Sequence, residues 1–220
     1  QKKKTTEEKT GKDEKPANGN SDTDIDADKK TPGKAEQKDQ KPADLVIWHW
    51  QDKRLQSQQQ VEESRDKRFS FLAVYHVDAK KFVRLADDSL RDVAANEKQR
   101  WAIGRDDADY RLNGSLDGRR FSDVYVLDTQ SGEKWLAVKK CRWYFGASPE
   151  GDRFLYFDDG HFFTYDIPSR TAVNITKEAP ISFVDEEADY IQDRPPVRPL
   201  GWTSDSTFVV LSDSWDLWAI

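Results

Sequence analysis

The sequence predicts an all-β fold built from a repeated unit of four short strands, and three observations carry that expectation. Apolar residues come in short runs rich in aromatic and β-branched types, which suit a pleated, half-buried surface. Turn-forming pairs separate the runs. Several stretches also match one another in register, as repeats do. In chain order the expected strands are Leu45–Trp50, Phe69–Val77, Lys81–Leu85, Arg100–Gly104, Val124–Asp128, Lys134–Val138, Arg153–Asp158, His161–Asp166, Ala172–Ile175, Phe208–Ser212 and Trp215–Ile220. Asp117-Gly118, Ser131-Gly132, Pro149-Glu-Gly151, Asp159-Gly160 and Pro168-Ser169 supply turn chemistry between them. No amphipathic helix longer than two turns is expected. The polar, Gln-rich stretch 51–66 reads as a loop or a short helix.

The register matches define the unit. Asn96-Glu-Lys-Gln-Arg-Trp-Ala-Ile-Gly-Arg-Asp106 aligns with Pro149-Glu-Gly-Asp-Arg-Phe-Leu-Tyr-Phe-Asp-Asp159 at an offset of 53 residues. Gly146-Ala-Ser-Pro-Glu-Gly151 with the following strand aligns with Gly201-Trp-Thr-Ser-Asp-Ser206 and its strand, at offsets of 55 and then 54. Asp123–Gly132 aligns with His161–Ser169 at only 38, so residues 105–122 are expected to be an extra loop between two strands. Four antiparallel strands per repeat of this length is a propeller blade. A blade cannot bury both faces alone and must stack on neighbours, and aromatic residues on both faces of the middle strands supply that packing. The expected fold is therefore a partial β-propeller of about three and a half blades, ending inside the third strand of a repeat. A β-sandwich is the alternative, but it does not require the register matches.

Composition divides the chain. Residues 1–43 hold eleven Lys and ten acidic residues and no aromatic, whereas all 26 aromatic residues follow. The first segment cannot bury enough apolar surface to offset its ordering entropy and is expected to be a disordered linker or an insertion between blades. Residues 44–220 are expected to be the incomplete propeller. That part carries a net charge of −7, which argues against a nucleic-acid surface. Cys141 is the single cysteine, so no intrachain disulfide can form. No stretch is apolar for long enough to span a membrane as a helix.

Motifs that carry chemistry fail one by one. Gly146-Ala-Ser-Pro-Glu-Gly151 resembles a nucleophile elbow, but its last glycine is one residue late. Pro149 also removes the backbone N–H that an oxyanion hole needs. Ser148 is therefore expected to be a turn residue. His49, His76 and His161 share no metal-ligand spacing. Asp22–Asp28 alternates acids as a calcium loop does, but lacks the glycine and glutamate such a loop requires. No metal or other cofactor is expected. The acidic loop Phe183-Val-Asp-Glu-Glu-Ala-Asp-Tyr190 remains the most suggestive.

Several segments together resemble the propeller of the prolyl oligopeptidase family of serine peptidases, in its dipeptidyl-peptidase and acylaminoacyl-peptidase-like branch. They are Asp44-Leu-Val-Ile-Trp-His-Trp-Gln-Asp52 with the Gln-rich run after it, Ser148-Pro-Glu-Gly-Asp-Arg-Phe-Leu-Tyr-Phe-Asp158, Asn174-Ile-Thr176, Gly201-Trp-Thr203 and Trp215-Asp-Leu-Trp218. The resemblance spans residues 44–220. It implies a substrate-gating propeller whose partner is a C-terminal α/β-hydrolase domain absent from this chain, with peptides as substrates. It also implies that Glu186 and Glu187 hold a substrate's free amino terminus, and that the protein is periplasmic or secreted. A non-catalytic binding module of Tol-system or WD-repeat type is the alternative. A carbohydrate-active propeller ranks third, because no carboxylate pair stands out at strand ends.

Overall fold

Thirteen strands and two helices form among the described residues of the computed structural model, which are 45, 47–52, 54–189 and 193–220. The strands fall into four antiparallel sheets. The first pairs β1 (Ala73–His76) with β2 (Lys81–Arg84). The second runs in the order β3 (Asp92–Ala95), β4 (Trp101–Asp106), β5 (Ser122–Asp128), β6 (Lys134–Cys141). The third contains β7 (Trp143–Ala147), β8 (Arg153–Asp158), β9 (His161–Asp166) and β10 (Thr171–Asn174) as consecutive neighbours. The fourth holds β11 (Gly201–Trp202), β12 (Val209–Ser212) and β13 (Leu217–Ala219). Within each sheet consecutive strands pair, so this is a partial β-propeller in which the two middle blades have four strands, the first sheet two and the last three among the described residues.

The unit repeats in its hydrogen bonds, but at offsets of 52 and then 55 residues, so the sequence matches at 53 and 54 are one residue out of register and place those strands' faces the wrong way round. In three successive blades the turn between the first and second strands closes identically: Asn96 N–H donates to Trp101 O (2.9 Å), Ser148 N–H to Arg153 O (2.8 Å) and Thr203 N–H to Phe208 O (2.9 Å). Inside each turn a second bond returns to the first residue, from Gln99, Gly151 and Ser206. Those three residues take positive φ values of 56°, 75° and 58°, a conformation glycine adopts without strain. The turns also bond to one another. Asn96 Nδ2 donates to Gly151 O (2.7 Å), and Glu150 N–H donates to Ser206 Oγ (3.0 Å).

Side-chain alternation builds the core between blades. Successive residues of a strand point to opposite faces. Phe154 and Tyr156 of β8 therefore pack with Ile103, Val124 and Val126 of the second sheet, while Leu155 and Phe157 pack with Val209 and Leu211 of the fourth. Val83, Leu85, Leu90, Ala102 and Leu127 fill the layer between the first two sheets. Within residues 47–220 the core is thus a series of layers, one per pair of blades.

The register fixes which connections share an end of the blades. Asp92 at the start of β3 faces Arg105 at the end of β4, and Ser122 at the start of β5 faces Cys141 at the end of β6. Connections between blades and those between second and third strands therefore gather at one end. Both helices lie there. α1 (Gln56–Lys67) precedes β1, and α2 (Arg111–Asp117) lies within the β4–β5 connection, inside the extra loop expected over 105–122.

Three expectations need correction. The strand expected over 45–50 does not form at its described residues. Leu45, Ile47, Trp48 and Trp50 are 53–82 % exposed, and no described strand pairs beside β1 on that side to complete a ladder. α1 is twelve residues long, exceeding the two turns expected. It buries no side chain, so no apolar stripe marks it; Arg54 holds it instead, donating to Glu62 (2.7 Å) and Asp66 (2.6 Å). Finally β3, β7 and β11, the first strand of each blade, escaped the sequence reading. The expectations for residues 1–43, including the acidic stretch 22–28, fall outside the described residues.

Candidate functional site

The end of the blades that carries both helices opens into a cleft of about 760 Å³. Four parts of the chain build it. α1 and the residues flanking it bring Arg54, Arg65, Asp66 and Phe69; the connection into β3 brings Asp88, Arg91 and Asp92. The β4–β5 connection brings Arg105, Asp106, Asp107, Arg111, Arg120 and Phe121; the step from β6 to β7 brings Arg142. Seven arginines and five aspartates therefore meet in one depression of an acidic domain.

The pairing inside the cleft is uneven. Arg105 donates to Asp92 Oδ2 at 2.8 Å across the β3–β4 ladder, and Arg111 grips Asp107 one helical turn away through both Nε and Nη2. The Arg54 guanidinium holds the Asp66 carboxyl below the usual carboxylate range. Arg142 reaches Asp193 at 3.1 Å and stacks on Trp143. By contrast Arg65 and Arg91 come no nearer than 3.6 Å to Glu62 and 3.8 Å to Asp66. Arg120 has no carboxylate partner among the described residues. Arg91 lies 4.3 Å above the Phe69 ring, which orients its face and leaves the edge of its fork open.

Two close approaches shape the cleft wall. Gln58 Nε2 donates to Ser115 Oγ (3.2 Å) and so ties α1 to α2. Gly114 lies where a Cβ would meet Arg119 O at 2.6 Å. The helix ends at Gly118, in left-handed conformation (φ 76°), and the chain then turns back to present Arg120 to the cleft.

The sequence-derived candidates lie apart. Glu186 and Glu187 are exposed in the long connection between β10 and β11. The Glu187 amide donates to Asp185 Oδ1 (3.2 Å), and the loop is pinned by the Val184–Pro196 bridge. Asp193 in the same connection reaches Arg142 of the cleft wall. Ser148 is a turn residue: fully buried, its hydroxyl donates to Asp152 Oδ1 (3.0 Å) and accepts from Arg153 N–H (3.2 Å). His76 contacts Thr129 O at 2.9 Å and His161 contacts Thr176 Oγ1 at 3.3 Å, bonds within and between blades. Among the described residues no group of His, Cys, Asp and Glu has the makings of a metal site. Burial pushes the Cys141 thiol up to about 12, which leaves it inert as a nucleophile near neutral pH. Sequence reading missed the cleft because its arginines come from four distant segments with no common spacing; the single clue was the extra loop at 105–122.

No family model matches this sequence, and no curated protein matches it. Among solved structures, a TolB from Agrobacterium tumefaciens is similar over 64 % of this chain, with 16 % identity and a TM-score of 0.37. The match covers 47 % of that protein, so this chain spans about half its length. Among the described residues no helix is long and apolar enough to cross a membrane.

Proposed function

We propose that this chain is the substrate-gating propeller portion of a prolyl-oligopeptidase-like serine peptidase, which admits and orients peptides for a catalytic domain elsewhere in the protein. The cleft carries this reading. It gathers guanidinium groups, carboxylates and two phenylalanines at one end of the blades, and a peptide offers a complement to all three. Ser148, the nearest match to a nucleophile motif, has its hydroxyl committed to a turn. In this reading residues 1–43 are a linker or an insertion between blades, and Glu186 and Glu187 hold the peptide's amino terminus, as paired carboxylates hold an ammonium.

The test is calorimetric titration of the purified chain with short peptides, alongside a chromogenic peptide assay and a fluorophosphonate label for active serines. Binding without hydrolysis or labelling supports the reading, and labelling of Ser148 overturns it. The coding sequence after Ile220 gives a second arm, expected to contain Gly-x-Ser-x-Gly followed by Asp and His.

A second reading, a non-catalytic module with a protein partner, draws on the fourth sheet. Trp215, just before β13, and Leu217, its first residue, are 87 % and 66 % exposed, an apolar surface of the kind partners cover. Pull-down by a partner that W215S abolishes, with no peptide binding, would favour it.

A further inference from the structure

Within the peptide-gating reading, we infer that the cleft selects acidic peptides, with Arg65, Arg91 and Arg120 receiving side-chain carboxylates. The inference rests on which charges the protein already neutralises. Asp66, Asp92 and Asp107 are taken by Arg54, Arg105 and Arg111 at hydrogen-bond distance. Arg65 and Arg91 stand beyond that distance from any described carboxylate, and Arg120 has none. A guanidinium carries five N–H donors in a planar fork matched to a carboxylate. Three such forks therefore face one cleft with their donors largely unspent.

Neighbouring groups point the same way. Arg119 Nε, one residue from Arg120, is buried with no acceptor among the described residues. The Arg119 guanidinium makes a distant 4.0 Å approach to Asp193, a carboxylate it shares with Arg142, while its backbone N–H donates to Asp117 (2.8 Å). The cleft is far larger than a single phosphate needs. Its interspersed aspartates break the continuous basic track that a nucleic acid seeks. A short peptide with spaced carboxylates suits the loosely paired Arg65 and Arg91 and Arg120, unpaired among the described residues, and its backbone N–H groups suit the flanking Asp88 and Asp106.

The experiment uses the whole chain and fluorescence anisotropy. The probes are a dye-labelled peptide carrying three glutamates, its glutamine counterpart, and inorganic phosphate as competitor. The glutamate peptide is expected to bind at least about tenfold tighter than the glutamine peptide. That preference should shrink as salt is raised. R91Q and R120Q, at exposed positions, should each remove most of the preference while the thermal midpoint stays unchanged. Equal binding of both peptides, or a preference untouched by the two variants, overturns the inference and leaves the peptide-gating reading standing. Binding of neither peptide overturns both. Full displacement by millimolar phosphate assigns the arginines to a small-anion site and overturns the acidic-peptide inference.

Discussion

Asp128 ends β5 and does three things at once. Its Oδ1 accepts from the Gln130 and Ser131 amides, closing the turn, and Arg100 grips both carboxylate oxygens at 2.7 and 3.0 Å. These bonds, the one from Arg100 foremost, hold its carboxyl down at about 2. A carboxyl depressed in the folded state contributes stability that is fully present above its unfolded value near 4 and lost as pH falls through the folded one. D128N should therefore be less stable than the parent by about 1–2 kcal/mol at neutral pH. Arg100 is 39 % exposed, so solvent screening favours the lower end of that range. The gap should close between pH 4 and pH 2, as urea unfolding at each pH would record. A gap that stays constant down to pH 2 would mean that the ion pair contributes nothing and the turn alone matters.

At the scale of elements, the two helices are where the chain departs from a bare blade, and α2 depends on one glycine. Glycine normally weakens a helix by roughly 1 kcal/mol relative to alanine, so G114A would stabilise a free helix. Here the new Cβ would meet the Arg119 carbonyl at 2.6 Å, and backbone cannot step aside as a side chain can. G114A is therefore expected to destabilise the chain by about 1–3 kcal/mol. It should also displace the 119–120 segment and weaken peptide binding more than R120Q does alone. A rise in thermal stability would refute the packing argument. The same elements mark what sequence could and could not reveal. Strands such as 161–166 announce themselves because aromatic residues cover both their faces. β3 reads Asp-Val-Ala-Ala and β11 is only Gly-Trp, too small and too short to leave an apolar signature, whereas β7, Trp-Tyr-Phe-Gly-Ala, went unread despite its aromatic run. α1 was obscured because polar bonds hold it and no side chain is buried. The cleft was illegible for a related reason: its arginines are brought together by blade stacking, and residues 54 and 142 have no relation until the sheets form.

Across residues 47–220 the core divides into layers between blades, so stability should be a sum of nearest-neighbour terms. Phe154 and Tyr165 lie in one layer, stacked with ring centroids 4.9 Å apart, and Tyr165 also accepts from Trp135 Nε1 of the neighbouring sheet (3.1 Å). Val83 belongs to the preceding layer, on the far side of the second sheet. Phe154→Leu combined with Tyr165→Leu should show a coupling energy of about 0.5–1.5 kcal/mol, since each substitution removes the other's stacking partner. Phe154→Leu combined with Val83→Ala should be additive to within about 0.5 kcal/mol. Leucine is chosen over alanine for the aromatic positions so that the double variant stays folded. Urea midpoints and slopes for the two cycles give the answer directly. Equal coupling in both cycles would mean that a change in one layer is felt through an intervening sheet. A cleft built by α1 and three successive connections at the blade ends would then respond to packing anywhere in the stack. Additivity across layers would instead confine each disturbance to its own interface, so that peptide binding tracks only the packing between the first two blades and at the β6–β7 step.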